Sequence, residues 1–118
     1  MHAQFTKAPK NSAVSKTGNL FFDCVGENLG WVKYAPGGKN PMIISNNLTV
    51  TKRGKYVLYR HGKRGDYTLL VRDAVLQDAG TYRCIYVPLP ALYREAEAVI
   101  LGEIYDMYYI LLQRKYSM

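Results

Sequence analysis

Apolar and polar residues alternate along this chain in runs that are each about the length of a β-strand. Side chains two positions apart point to the same face of a strand, so each run presents one apolar face. We expect three of these faces to supply the core of the molecule. Their residues are Leu20, Phe22, Cys24, Tyr67, Leu69, Val71, Tyr82, Cys84 and Tyr86.

Clusters of glycine, asparagine, proline and aspartate separate the runs, and such clusters are typical of turns. The segments between them are rich in β-branched and aromatic residues, which favour strands. About eight or nine short strands in one small chain predict a β-sandwich or a barrel. The predicted strands cover 20–24, 31–34, 42–44, 48–51, 56–59, 67–71, 82–87 and 96–101.

A length of 118 residues suits one domain, and an apolar fraction of 48% excludes a disordered chain. We assign residues 1–102 to that domain. The tail 103–118 is too apolar for a linker and too short for a membrane span, which needs roughly 18 or more apolar residues. We expect it to be an added strand, a partner contact or the stub of a longer protein.

The net charge of +7 suits an anionic partner. Six basic residues fall between positions 52 and 64, a density that suits heparin-like glycans. The alternative is that these side chains lie on a sheet edge and prevent edge-to-edge aggregation. Nucleic-acid binding explains fewer residues than the motif described below, and we expect none. The basic residues are Lys52, Arg53, Lys55, Arg60, Lys63 and Arg64.

Catalytic and metal-binding patterns are missing from the sequence. The two histidines, His2 and His61, have no cysteine, serine or carboxylate partner at a recognisable catalytic or metal-ligating spacing. Two cysteines are too few for a four-ligand zinc site, and they form one disulfide only if the compartment is oxidising. We therefore expect no enzymatic activity, no metal and no cofactor.

The most specific motif surrounds the second cysteine. The segment Asp78–Cys84, of sequence DAGTYRC, ends sixty positions after Cys24, and Trp31 lies between them. This motif resembles the immunoglobulin superfamily. The resemblance implies an all-β fold, a two-sheet immunoglobulin-like Greek-key β-sandwich.

The resemblance also implies a role for each motif residue. Cys24 and Cys84 would join the two sheets through a disulfide, and Trp31 would pack on it. Tyr82 would hydrogen-bond back to the backbone at a strand corner. The alternative is a pair of buried free thiols, which would suit an intracellular structural module such as those of the sarcomere.

Two further signature positions are expected nearby. Leu69 should lie in the core on the strand that precedes the motif. Asp78 should meet a basic side chain at the base of the preceding strand pair. Lys55 is the best candidate for that partner, with Arg53 and Arg60 behind it.

Within the superfamily, the long region 42–59 has room for the extra strands that separate variable-type from constant-type domains. The segments 31–33 and 66–69, together with the motif itself, look most like invertebrate cell-surface recognition domains. Six residues separate Cys24 from Trp31, and the last strand lacks the Gly-x-Gly bulge of antigen receptors. We therefore expect a variable-type domain that is not a rearranged antigen receptor.

The alternation that buries Trp31 and Cys84 turns neighbouring residues of the same sheet toward solvent. Exposed apolar patches mark interfaces, and variable-type domains commonly recognise partners through this sheet. We expect another protein to bind there, either a second copy in a homodimer or a second immunoglobulin-type receptor. The alternative is that Lys33, Arg83 and the tail cover this face. The expected partner-binding residues are Val32, Tyr34, Ile43, Ile85 and Val87.

The resemblance implies an extracellular protein, secreted or on the cell surface, that acts in cell–cell recognition, adhesion or immune defence. Asn47 begins the sequon Asn47-Leu48-Thr49, where a secreted protein would carry a glycan. Membrane attachment would need a segment outside this chain. The residues Met1–Lys7 lack the apolar centre of a signal peptide, so either a signal was removed or the protein stays inside the cell.

Overall fold

A computed structural model describes residues 5–60 and 65–102 of the chain. Within these ranges the backbone forms eleven strands and one short 3₁₀ turn, Leu76–Asp78, and no helix there is long and apolar enough to cross a membrane. His2, His61, Lys63, Arg64 and the tail 103–118 lie outside the described residues. The strands are β1 (Phe5–Lys7), β2 (Ser12–Ser15), β3 (Leu20–Phe22), β4 (Val25–Gly26), β5 (Leu29–Tyr34), β6 (Met42–Asn46), β7 (Thr49–Val50), β8 (Tyr56–Tyr59), β9 (Thr68–Val71), β10 (Gly80–Tyr86) and β11 (Tyr93–Leu101).

The larger sheet, called the front sheet below, has the strand order β2-β11-β10-β5-β6-β7. Its strands pair antiparallel, except that β2 runs parallel to β11 from Ser12 to Ser15. The strands β6 and β7 are the extra strands that region 42–59 predicts. Their presence is the feature that separates variable-type from constant-type sandwiches.

The back sheet has the order β3-β9-β8, and all of its strands pair antiparallel. The short strand β4 follows β3 and pairs with β1, and a single bridge joins Val25 to Asp66 just before β9. The two sheets stack face to face, which is the predicted all-β sandwich.

The core lies between the sheets and comes from the predicted alternation. Strand β10 buries every second residue, and β9 is buried along its whole length. The core residues expected from sequence are buried, except that Tyr86, at the end of β10, packs against the core and is only partly buried. Apolar burial of this kind stabilises a fold by about 25 cal/mol for each Å² removed from water.

The structure adds strands that the hydrophobic pattern does not predict. Strands β1 and β2 contain small and polar residues, and pairing with β4 and β11 is what makes them strands. Strand β5 also begins earlier than predicted, at Leu29. Gly30 allows this because a side chain there would collide with the carbonyl of Ser45 on β6.

Candidate partner-binding face

The two cysteines form the predicted disulfide between the sheets. Cys84 lies on β10 and Cys24 between β3 and β4, both are fully buried, and their Cα atoms are 6.5 Å apart. Trp31 is fully buried too, and its indole Nε1 donates a hydrogen bond of 2.7 Å to the carbonyl of Tyr67. On a chain-entropy view, closing a loop of sixty residues contributes about 4 kcal/mol of stability.

Tyr82, two residues before Cys84 on β10, also anchors this strand in the core. The hydroxyl of Tyr82 donates a hydrogen bond of 2.6 Å to the carbonyl of Asp78, and its ring stacks on Phe22 with centroids 4.8 Å apart. Burial, and then the negative charge of Asp78, raise the pKa of the Tyr82 hydroxyl far above its usual range. The Asp78 carboxylate is paired with Lys55, 2.6 Å away, and not with Arg53 or Arg60.

Lys33 lies on the core side of the front sheet, two residues from Trp31. Its ammonium group sits 5.9 Å from the centre of the Tyr82 ring and donates to the carbonyl of Gln77. Burial lowers the pKa of Lys33. The expectation that Lys33 could cover the solvent side of the sheet is therefore wrong, because strand alternation turns it the other way.

The solvent side of the front sheet, called the outer face below, is centred on Arg83 of β10. The Arg83 guanidinium lies over two tyrosine rings, 4.7 Å from the centre of Tyr34 and 4.0 Å from the centre of Tyr93. Its Nε is 3.1 Å from the Glu95 carboxylate. Partial burial lowers the pKa of Arg83, but the hydrogen bond and charge of Glu95 and the interactions with Tyr93 and Tyr34 together raise the pKa overall.

The strand register places the outer face in cross-strand rows. Ile43 of β6 pairs with Val32 of β5, which pairs with Arg83 of β10, which pairs with Glu95 of β11. The same strands carry Thr81 opposite Glu97, with 2.6 Å between the hydroxyl and the carboxylate. The outer face is thus apolar toward β6 and acidic toward β11. Arg83 lies between these two parts, packed on two tyrosine rings and paired with Glu95.

The structure brings the five expected partner-binding residues to this sheet with unequal exposure. Ile43 is 58% exposed, whereas Val32 is 8% exposed and forms the floor of the face. Tyr34, Ile85 and Val87 are half-buried, and Val87 lies just beyond the end of β10. Sequence reasoning missed the contribution of Tyr93, Glu95 and Glu97. Their alternate spacing on the last strand was a signal that could have found them.

The described basic residues lie in different surroundings. Lys55 is held by Asp78 and also donates to the carbonyls of Arg72 and Asp73. Lys52 and Arg53 precede β8 and Arg60 follows it, so the four-residue strand, about 13 Å long, separates them. In the described ranges, no cluster of histidine, cysteine, aspartate or glutamate could hold a metal ion.

Comparison with known proteins identifies the domain type. No protein-family model matches the chain. The rat immunoglobulin kappa chain variable region S211 is 28% identical over 87 residues, a match that spans 69% of this chain and 80% of that protein. The chain has the fold of an immunoglobulin variable-type domain.

A solved structure agrees with this variable-type fold. The crystal structure of the RIG-5 IG1 homodimer superposes with a TM-score of 0.65 and 16% identity, over 81% of this chain and 94% of that one. Immunoglobulin domains typically bind other proteins and do not catalyse reactions.

Proposed function

We propose that this variable-type domain belongs to a secreted or cell-surface protein and binds another protein through its outer face. The processes it would serve are cell–cell recognition, adhesion or immune defence. The observation that carries the proposal is the position of Arg83, held between Tyr34 and Tyr93 at the centre of an exposed sheet. Extracellular placement is supported by the disulfide, because such bonds persist in oxidising compartments.

Arginine and tyrosine are among the residues that most often dominate binding energy at protein interfaces. Here the guanidinium is already held by two rings and a carboxylate, so binding would cost little further side-chain entropy. Ile43 beside this group offers exposed apolar area that a partner can bury. A prearranged polar centre with an apolar flank suits a protein partner better than a small ligand.

The partner we favour is a second copy of this domain. In a two-fold dimer the same surface of each copy meets the other, and the outer face carries apolar, acidic and basic groups that can then pair across the axis. The structural relative RIG-5 IG1 is itself described as a homodimer, which supports the same arrangement here. A second immunoglobulin-type receptor would use the same surface.

Sedimentation velocity of the purified full chain at increasing concentration tests this proposal. We expect the wild-type chain to self-associate, and Ile43→Glu to weaken association tenfold or more, which corresponds to about 1.4 kcal/mol or more. Phe21→Glu is the matched control, because Phe21 is 55% exposed on the back sheet. A chain that stays monomeric throughout, or equal weakening by both variants, would contradict self-pairing through the outer face.

A further inference from the structure

The turn between β6 and β7 presents an asparagine at its tip. Asn46 pairs with Thr49 across the turn, which leaves Asn47 and Leu48 as its two exposed central residues. Asn47 has a φ of 54°, a left-handed conformation that asparagine adopts more easily than most residues. Together with Thr49, it forms the sequon that N-glycosylating enzymes read.

We propose that Asn47 carries an N-linked glycan that projects from the edge of the front sheet and leaves the outer face open. The proposal rests on the extracellular placement proposed above. The donor is a lipid-linked oligosaccharide diphosphate. The Asn47 Nδ2 attacks the anomeric carbon, an N–C bond forms, the C–O bond to the diphosphate breaks, and the lipid diphosphate leaves. The lost amide proton passes to a base of the transferase.

A hydrogen bond from the core sets the direction of the Asn47 side chain. The hydroxyl of Tyr67 donates to the Asn47 Oδ1 at 2.9 Å. Tyr67 itself is a core residue, since its backbone N–H bonds to the carbonyl of Cys24 and its own carbonyl accepts from Trp31. The Asn47 carboxamide therefore bends toward the core side of the sheet edge, opposite to the side on which Ile43 is exposed.

The same hydrogen bond is compatible with the modification. Glycosylation replaces one hydrogen on Nδ2 and leaves Oδ1 as an acceptor. The modified side chain can thus keep its bond to Tyr67. Because Oδ1 and Nδ2 diverge from the same carbon and Oδ1 is turned toward the Tyr67 hydroxyl, the Nδ2 that carries the sugar points away from that hydroxyl and off the edge of the front sheet.

The position at the sheet edge gives the glycan a physical effect. Strand β7 is the terminal strand of the front sheet among the described residues, and terminal strands expose backbone groups that invite pairing with other chains. A bulky glycan beside β7 would block such pairing. The outer face around Arg83 would stay free for the proposed partner.

The test of the site is expression of the full chain behind an added secretory leader in a eukaryotic host, followed by intact mass before and after an N-glycan amidase. We expect wild type and Thr49→Ser to carry one glycan and Thr49→Ala to carry none. Ile43→Asn is the matched control, because with Ser45 it creates a second sequon on the outer face. An unmodified Asn47 in a preparation of that variant glycosylated at position 43 would overturn the proposal.

Hydrogen exchange tests the direction of the glycan without any partner. Removing the Asn47 glycan should change exchange in 46–50 and 65–68 and leave β5 and β10 unchanged. Removing the glycan that Ile43→Asn adds should change β5 and β10. A change in β5 or β10 on removal of the Asn47 glycan would overturn the proposed direction. Failure of self-association would appear only in the sedimentation experiment, so the two proposals fail separately.

Discussion

Single side chains tie the connection between β9 and β10 to the rest of the domain. The nearly buried Asp78 carboxylate accepts a hydrogen bond from the Lys55 ammonium and a second, of 2.8 Å, from the Val75 backbone N–H. The Asp78 carbonyl accepts from Tyr82. These bonds make Lys55 part of the folded structure and remove it from the basic surface that the sequence suggested.

Lys55→Met should therefore destabilise the domain. Methionine keeps the length of the side chain but leaves the Asp78 carboxylate without its charged partner, which costs about 1–3 kcal/mol. Urea unfolding measures the change, and Lys52→Met, at an exposed neighbouring lysine, should shift the midpoint little. Equal effects of the two substitutions would show that the pair with Asp78 adds no stability.

At the level of elements, the contact between β5 and β10 depends on a close backbone approach. Gly80 begins β10 with a φ of 139°, and a Cβ there would collide with the carbonyl of Tyr34 on β5. Glycine is therefore required for two reasons, conformation and space. The β10 strand can then run beside β5 along its whole length and carry Arg83 to the outer face.

Gly80→Ala should cost about 3 kcal/mol, because strain in the backbone and overpacking against β5 both oppose the new methyl group. Gly37→Ala separates the two causes. Gly37 also has a positive φ, of 69°, but has open space around it, so strain alone should cost about 1–2 kcal/mol. Thermal unfolding compares them, and a smaller loss for Gly80→Ala than for Gly37→Ala would contradict the collision.

For the molecule as a whole, buried ionisable groups make the free energy of unfolding change with pH in the alkaline range. Burial, followed by the charge of Asp78, raises the pKa of both Tyr56 and Tyr82, whose ordinary value is 10.0. Their contribution to stability is complete below pH 10 and is lost as pH rises, because the unfolded tyrosines ionise first. Lys33 acts in the opposite direction, because its pKa is lowered from 10.5. Its contribution makes the free energy of unfolding rise with pH, and that rise is complete near pH 10.5.

Above about pH 10.5, the free energy of unfolding should therefore fall as pH rises. Each buried tyrosine contributes a slope of at most about 1.4 kcal/mol per pH unit. Urea titrations at a series of alkaline pH values measure the slope. Tyr82→Phe should reduce it, whatever the change in absolute stability, and the double variant with Tyr56→Phe should reduce it further. Wild-type slopes in both variants would contradict the assignment.

Much of the fold follows from short-range features of the chain. Alternation over Leu20–Cys24 and Tyr82–Cys84 placed the core, because a strand has a side-chain period of two whatever its neighbours are. The spacing of Cys24, Trp31 and the DAGTYRC segment resembles the immunoglobulin superfamily, and that resemblance implied the disulfide and the two-sheet sandwich.

The remaining features of the fold and of the outer face depend on contacts between residues that are distant in sequence. Strands β1 and β2 exist because β4 and β11 offer them backbone partners, and their own residues carry little strand signal. Lys55 differs from the other described basic residues of region 52–64 because it forms an ion pair with Asp78, which is distant in sequence. The central position of Arg83 on the outer face depends on tyrosines from two other strands, Tyr34 and Tyr93, which pairing alone brings within reach of its guanidinium.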